Sequence, residues 1–153
     1  MDLEQMFSWA NWSVIPGWLL LVFLPGWRYT TGLITSVLLP GVLGIAYLSL
    51  FVANWAAADF SAFGSLAGVK SLFQIDALLL AGWIHYLAFD LFIGSWEVRD
   101  ARSLGIPHLL VIPCLFFTFM MGPVGLLLYL VLRLAMRGRW TVGEADAHAL
   151  VSG

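Results

Sequence analysis

The chain has 153 residues, of which 61% are hydrophobic and only 10% charged, with a mean hydropathy of +0.93. A water-soluble domain of this size carries about a quarter charged residues, so the composition excludes an ordinary soluble fold and points to a protein that sits in lipid. The net charge of −2 is too small to argue for nucleic acid or another strongly charged partner.

The N-terminal MDLEQMFSW is acidic where a signal peptide is basic, and it lacks the Ser/Arg-rich character of a transit peptide. The first apolar segment is therefore expected to stay as a membrane anchor. Crossing the hydrocarbon core takes about 20 apolar residues in a helix, and four segments qualify: 7–24, 31–53, 72–95 and 108–135. Such runs are too long and too uniformly apolar for the alternating strands of a membrane barrel. The expectation is an all-α integral membrane bundle of four transmembrane helices over residues 1–140, with a polar, disordered tail over 141–153.

The first connector, PGWRYT, is a tight turn that makes the first two helices antiparallel neighbours. The second, NWAAADFSAFGSLAGVK, spaces Trp55, Phe60 and Phe63 as a short interfacial helix would. The third, WEVRDARSLGIP, reads as a charged loop. Pro16, Pro40, Pro113 and Pro123 fall inside the spans, where each removes a helix hydrogen bond. Kinks that help the bundle pack and kinks that open a cavity both fit. With four spans, both ends of the bundle lie on one side. Lys70, Arg133, Arg137 and Arg139 then weigh against Arg28, Arg99 and Arg102, a narrow vote for both termini being cytoplasmic. The single cysteine, Cys114, lies in an apolar run and reads as a packing residue.

The chemistry is concentrated in the third segment. At 100° per residue, Asp76, Trp83, Asp90 and Glu97, seven apart, share one stripe, drifting only about 20° per step. His85, Phe92, Trp96 and Arg99 form another, about 140° away from Asp90. An ionisable side chain within a membrane span is by default a functional group. Asp90 is the leading candidate and His85 the second. Glu97 and Asp100, three apart, would line a cavity mouth, with His108 close by at the start of the fourth segment. Trp83, Phe89, Phe92, Trp96 and Phe116, with Arg99, would line a groove for a long apolar guest. His85, Asp90, Glu97, Asp100 and His108 form a conceivable metal set, but no paired ligand spacing supports one. No metal and no other cofactor is expected. Trp9, Trp27, Trp55, Trp96 and Trp140 near the span ends make an aromatic belt.

FQIDALLLAGWIHYLAFDLFIGSWEVRD followed by GIPHLLVIPCLFFTFMMGPVGLLLYL resembles the abscisic-acid-deficient-four-like membrane family, as does the earlier IPGWLLLVFLPGWRYT. The resemblance extends over about 9–135, and its specific part over about 73–130. Plant members are associated with neoxanthin synthase, so the resemblance implies a membrane bundle and a role in carotenoid metabolism. The short chain looks like a bacterial relative, which implies a bacterial inner membrane. Neoxanthin forms from violaxanthin by isomerisation of an epoxide to an allene, which needs an acid and a base but no redox cofactor. On that reading Asp90 is the acid and His85 the base, flanking a ring-sized substrate in a dry pocket. A non-catalytic binder of carotenoid or lipid, or an accessory subunit of a larger membrane complex, stays open, as does a small transporter. A homodimer is also open, since Gly41 and Gly44 would let helices approach.

Overall fold

The structure is a computed structural model that describes residues 2–57 and 60–138, all of its regular structure helical. The predicted tail over 141–153 and Trp140 lie outside the described residues. Helix α1 spans Leu3–Phe23 and α2 spans Thr30–Ala53. A short α3, Leu66–Leu72, precedes the longest helix, α4, at Asp76–Ser103. Two shorter helices follow, α5 at His108–Met121 and α6 at Pro123–Arg137.

Three of these, α1, α2 and α4, are long and apolar enough to cross a membrane. The predicted fourth span is not one helix. It breaks at Gly122, whose φ of +44° lies where residues with a side chain are strained. Pro123 then starts α6, where its missing N–H costs nothing. The two pieces fold back on each other. A Cβ placed on Gly125 would lie 2.0 Å from the backbone nitrogen of Thr118, so only glycine lets α6 approach α5 this closely. Farther along, Arg137 at the end of α6 donates to the carbonyl of Gly105, in the turn just before α5. The pair is therefore a hairpin. At 1.5 Å per residue each arm is about 21–22 Å long, short of the roughly 30 Å hydrocarbon core.

Helix α4 is the central post. It runs parallel to α1, from the contact of Phe7 with Trp83 to the bond from Arg102 to the Pro25 carbonyl. Gly94 lets the two helices close up, since a Cβ there would lie 2.8 Å from the Trp18 ring. It is antiparallel to α2, where Thr35 meets Ser95 and Tyr47 meets His85. The core between them is apolar, with Val14, Leu21, Ile84, Leu91, Val98 and Leu115 essentially excluded from solvent.

The first half of α2, Thr30–Leu38, is wound as a π-helix. Pro40 explains why: in an α-helix its ring would press on the carbonyl one turn back, and a wider turn relieves that pressure. Hydroxyls serve the altered backbone. Thr35 donates to the Thr30 carbonyl and Ser36 to that of Thr31, both at 2.8 Å and five residues back. Thr35 also bonds the Ser95 hydroxyl at 3.0 Å, tying the widened segment to α4.

Two boundaries differ from the sequence reading. The charged run WEVRDARS is helix, not loop, because Glu97, Asp100 and Arg102 all find partners on neighbouring segments. The second connector forms two short 3₁₀ turns, Trp55–Ala57 and Phe60–Gly64, before α3, which Ser65 caps through the Gly68 amide. The start of α1 and the end of α6 lie at opposite ends of α4, not at one end as four spans would place them.

Candidate functional site

The hairpin packs along one stripe of α4, and every carboxyl of the predicted set except Asp76 lies on that seam. Asp100, at the open end, receives two donors: the Tyr129 hydroxyl at 2.5 Å and Arg133 Nε at 2.8 Å. Arg133 is only 2% exposed, so this ion pair is a buried clamp between α4 and α6. Two turns of α6 before its end, Tyr129 also meets Trp96 edge-on, with ring centroids 5.4 Å apart.

One turn deeper, Glu97 is fully buried and accepts from the Thr118 hydroxyl at 2.9 and 3.2 Å. Thr118 is the residue that Gly125 crowds, so this bond sits where the two arms are closest. Deeper still, Asp90 lies at the hairpin tip. A Cβ on Gly122 would fall 2.7 Å from its Oδ1. Asp90 is 9% exposed, and its buried Oδ2 has no hydrogen-bond partner. A lone unsatisfied carboxyl oxygen in a dry interior carries a penalty of about 1–3 kcal/mol or more, so it stands out against its two satisfied neighbours. The Tyr86 phenol, one turn back on the same face, interacts with the Asp90 carboxyl.

One turn before Asp90, an apolar groove of about 240 Å³ lined by Tyr86 runs between α1, α4 and the end of α5. Trp83, Tyr86, Phe119 and Asn11 are among its walls, and Asn11 holds Trp83 by accepting from its indole at 3.1 Å. Asp90, Tyr86 and the groove lie together at about the middle of α4: a buried carboxyl, a phenol and room for an apolar guest.

A scan of protein families matches residues 5–129 to the family described as ABA DEFICIENT 4-like. The chain belongs to this family. Protein ABA DEFICIENT 4, chloroplastic, of Arabidopsis thaliana is 25% identical over 104 residues, covering 63% of this chain and 47% of the plant protein. The chain thus spans about half the length of that curated relative. No solved structure matches the chain. Asp90, Glu97, Asp100, Thr118 and Gly122 all fall within the region matched to the ABA DEFICIENT 4-like family, while Arg133 and Arg137 lie beyond it. The name of the plant protein places it in the chloroplast and gives the bacterial inner membrane no support.

The remaining predicted site residues are dispersed. His85 is exposed on the far side of α4, stacked on Phe89 at 4.3 Å and tilted against Tyr47. The backbone of α4 stands between it and Asp90, so the two do not flank one pocket. The large angle between them on the helix separates them completely once α1 and α2 pack on different sides. Phe92 lies on the His85 side, and Arg99 and Phe116 are exposed. His108 holds the Val22 carbonyl at 3.0 Å and serves the α1–α5 contact. Asp76 borders a separate groove with Asp2 and Glu4. Asp100 is engaged in the clamp. Among the described residues no three His, Cys, Asp or Glu side chains gather as metal ligands.

Sequence reasoning missed Tyr86, Thr118, Gly122, Tyr129 and Arg133. Tyr86 was within reach, because it lies four residues before Asp90 on the same helix face. The Gly122-Pro123 pair carried a turn signal and was instead read as a kink.

Proposed function

We propose that this protein is a membrane-embedded isomerase of carotenoid metabolism that acts on an epoxidised cyclic end group. Asp90 is its central acid/base residue. The family supports the substrate class, and the observation that carries the chemistry is the unpartnered, buried Oδ2 of Asp90, one turn from an apolar groove that its neighbour Tyr86 lines.

One carboxyl is enough. Asp90 in its protonated form gives its proton to the epoxide oxygen as one C–O bond of the ring breaks. The neighbouring vinylic carbon yields its proton to the other carboxyl oxygen, and the C–H electron pair becomes the second double bond of an allene. One proton leaves the carboxyl and one returns, so no redox partner is needed and Asp90 ends as it began. Tyr86 orients the carboxyl. The hairpin excludes water, which would otherwise capture the opened end group as a diol. His85 has no part in this scheme.

The test is pigment chromatography after expression in a host that makes epoxidised cyclic carotenoids. The wild-type protein is expected to convert such a pigment into an isomer of equal mass. Asp90→Asn is expected to lose at least about 100-fold of that conversion, with the protein still present in the membrane. Equal conversion by Asp90→Asn would overturn the assignment. A non-catalytic pigment holder is the second reading, favoured by the large exposed aromatic surface that includes Phe89, Phe92 and Phe116. It predicts copurification of an unaltered carotenoid.

A further inference from the structure

The face of α4 opposite Asp90 carries a second feature. His85 and Tyr47 lie at the same depth on α4 and α2, with ring centroids 5.9 Å apart. Neither the imidazole nor the phenol makes a hydrogen bond with any described residue. His85 lies nine residues into α4, about 14 Å along it. At that depth lipid tails offer no partner to a polar group, so an unsatisfied imidazole or phenol there favours a guest that supplies one.

Both side chains border two grooves that meet there. One, of about 540 Å³, runs toward Pro40 and Phe92 over a floor of Gly44 and Ala88. The other, of about 240 Å³, runs toward Phe63 and Leu78 and is closed over by α3 and the 3₁₀ turn before it. From Leu78 to Phe92 along α4 is about 21 Å, with His85 at the midpoint. The floor is small residues and the walls are aromatic. The only polar groups along it that lack partners among the described residues are at its centre.

We propose that this seam between α2 and α4 is a lipid-facing binding site for an elongated apolar molecule carrying a hydroxyl or carbonyl oxygen, which His85 and Tyr47 hydrogen-bond. The site is separate from the Asp90 groove and does not depend on isomerase activity. Such a molecule would set its oxygen-bearing end at His85 and Tyr47 and lay its chain along one arm of the seam. Because both aromatic side chains have donor and acceptor capacity, either an alcohol or a ketone satisfies them.

The experiment uses the full chain in nanodiscs, titrated with zeaxanthin, a hydroxylated polyene, and with β-carotene, its hydrocarbon counterpart. Binding is followed by quenching of tryptophan fluorescence. All titrations are run in an Asp90→Asn background, so that no turnover at the other site alters the ligand. Zeaxanthin is expected to bind about threefold to tenfold more tightly than β-carotene, the worth of one hydrogen bond. His85→Phe, which keeps the ring stacked on Phe89, is expected to abolish that preference. Gly44→Phe is expected to weaken both ligands, because nothing lies within 4 Å of a Cβ at Gly44 and the new ring enters the groove without disturbing the core. Equal affinities for the two polyenes, or unchanged binding in Gly44→Phe, would overturn the proposal. So would dissociation of a dimer by Gly44→Phe in sedimentation, which would assign the seam to a second copy of the chain.

Discussion

Two carboxyls on the same face of α4, ten residues apart, lie against the same hairpin and fare differently. Asp100 is held by Tyr129 and Arg133, whereas Asp90 keeps a buried oxygen without a partner. At the open end of the seam, where α6 has room for a long side chain, the acid is neutralised and tied down. At the tip, where the chain turns through glycine, the hairpin offers Asp90 no side chain, and its one partner, Tyr86, comes from α4 itself. The contrast separates the part of the seam that holds the hairpin from the part left available for chemistry.

Substitutions at four positions would break or sharpen this contrast, and equilibrium unfolding in mixed micelles would rank them. Arg133→Leu should be the most damaging. It strands the Asp100 carboxylate in a mostly buried setting, a loss of about 3–5 kcal/mol. A loss below about 1 kcal/mol would mean the clamp is ornamental. Gly122→Ala should cost about 1–3 kcal/mol for its φ of +44°. It should also disturb Asp90, because the new methyl would meet Oδ1. If its unfolding curve overlays that of wild type, the sharp turn is not as described. Glu97→Leu removes the acceptor of the buried Thr118 hydroxyl, at about 1–3 kcal/mol, whereas Glu97→Gln retains an acceptor and should lose less than about 1 kcal/mol. Equal losses in the two would show that the charge and not the hydrogen bond matters at Glu97. Asp90→Asn should change stability least, within about 0.5 kcal/mol either way, because the amide keeps the shape and polarity of the carboxyl and leaves the same buried position without a partner. A large loss there would move Asp90 to the structural side of the comparison.

Much of this was legible in the sequence. Long apolar runs identified α1, α2 and α4 because lipid demands length and apolarity directly. The seven-residue spacing of Trp83, Asp90 and Glu97 placed them on one stripe, and Glu97 and Asp90 do share the hairpin seam. The fourth run misled because hydropathy measures how greasy a segment is, not whether it turns. Its 28 residues satisfy a single crossing as well as two arms, and only the Gly-Pro at 122–123 separated the cases. The partners of the carboxyls were harder still to read. Thr118, Tyr129 and Arg133 are distant along the chain, and no periodicity on one helix specifies its neighbour on another. His85 failed as a partner for Asp90 because an angle around one helix does not say which neighbours fill the space between.

The hairpin also bears on how charge is sorted along the molecule. Since α5 and α6 start and finish at the same end of α4, among the described residues Arg28, Arg99, Arg102, Arg133 and Arg137 gather at one end of the protein, against Lys70 at the other. The positive-inside rule predicts insertion with the arginine-bearing end toward the compartment in which the chain is made, which would put the groove lined by Trp83 and Asn11 toward the opposite leaflet. A pigment that reaches the carboxyl through the groove beside Trp83 and Asn11 would approach from that leaflet, which gives the proposed reaction a sidedness.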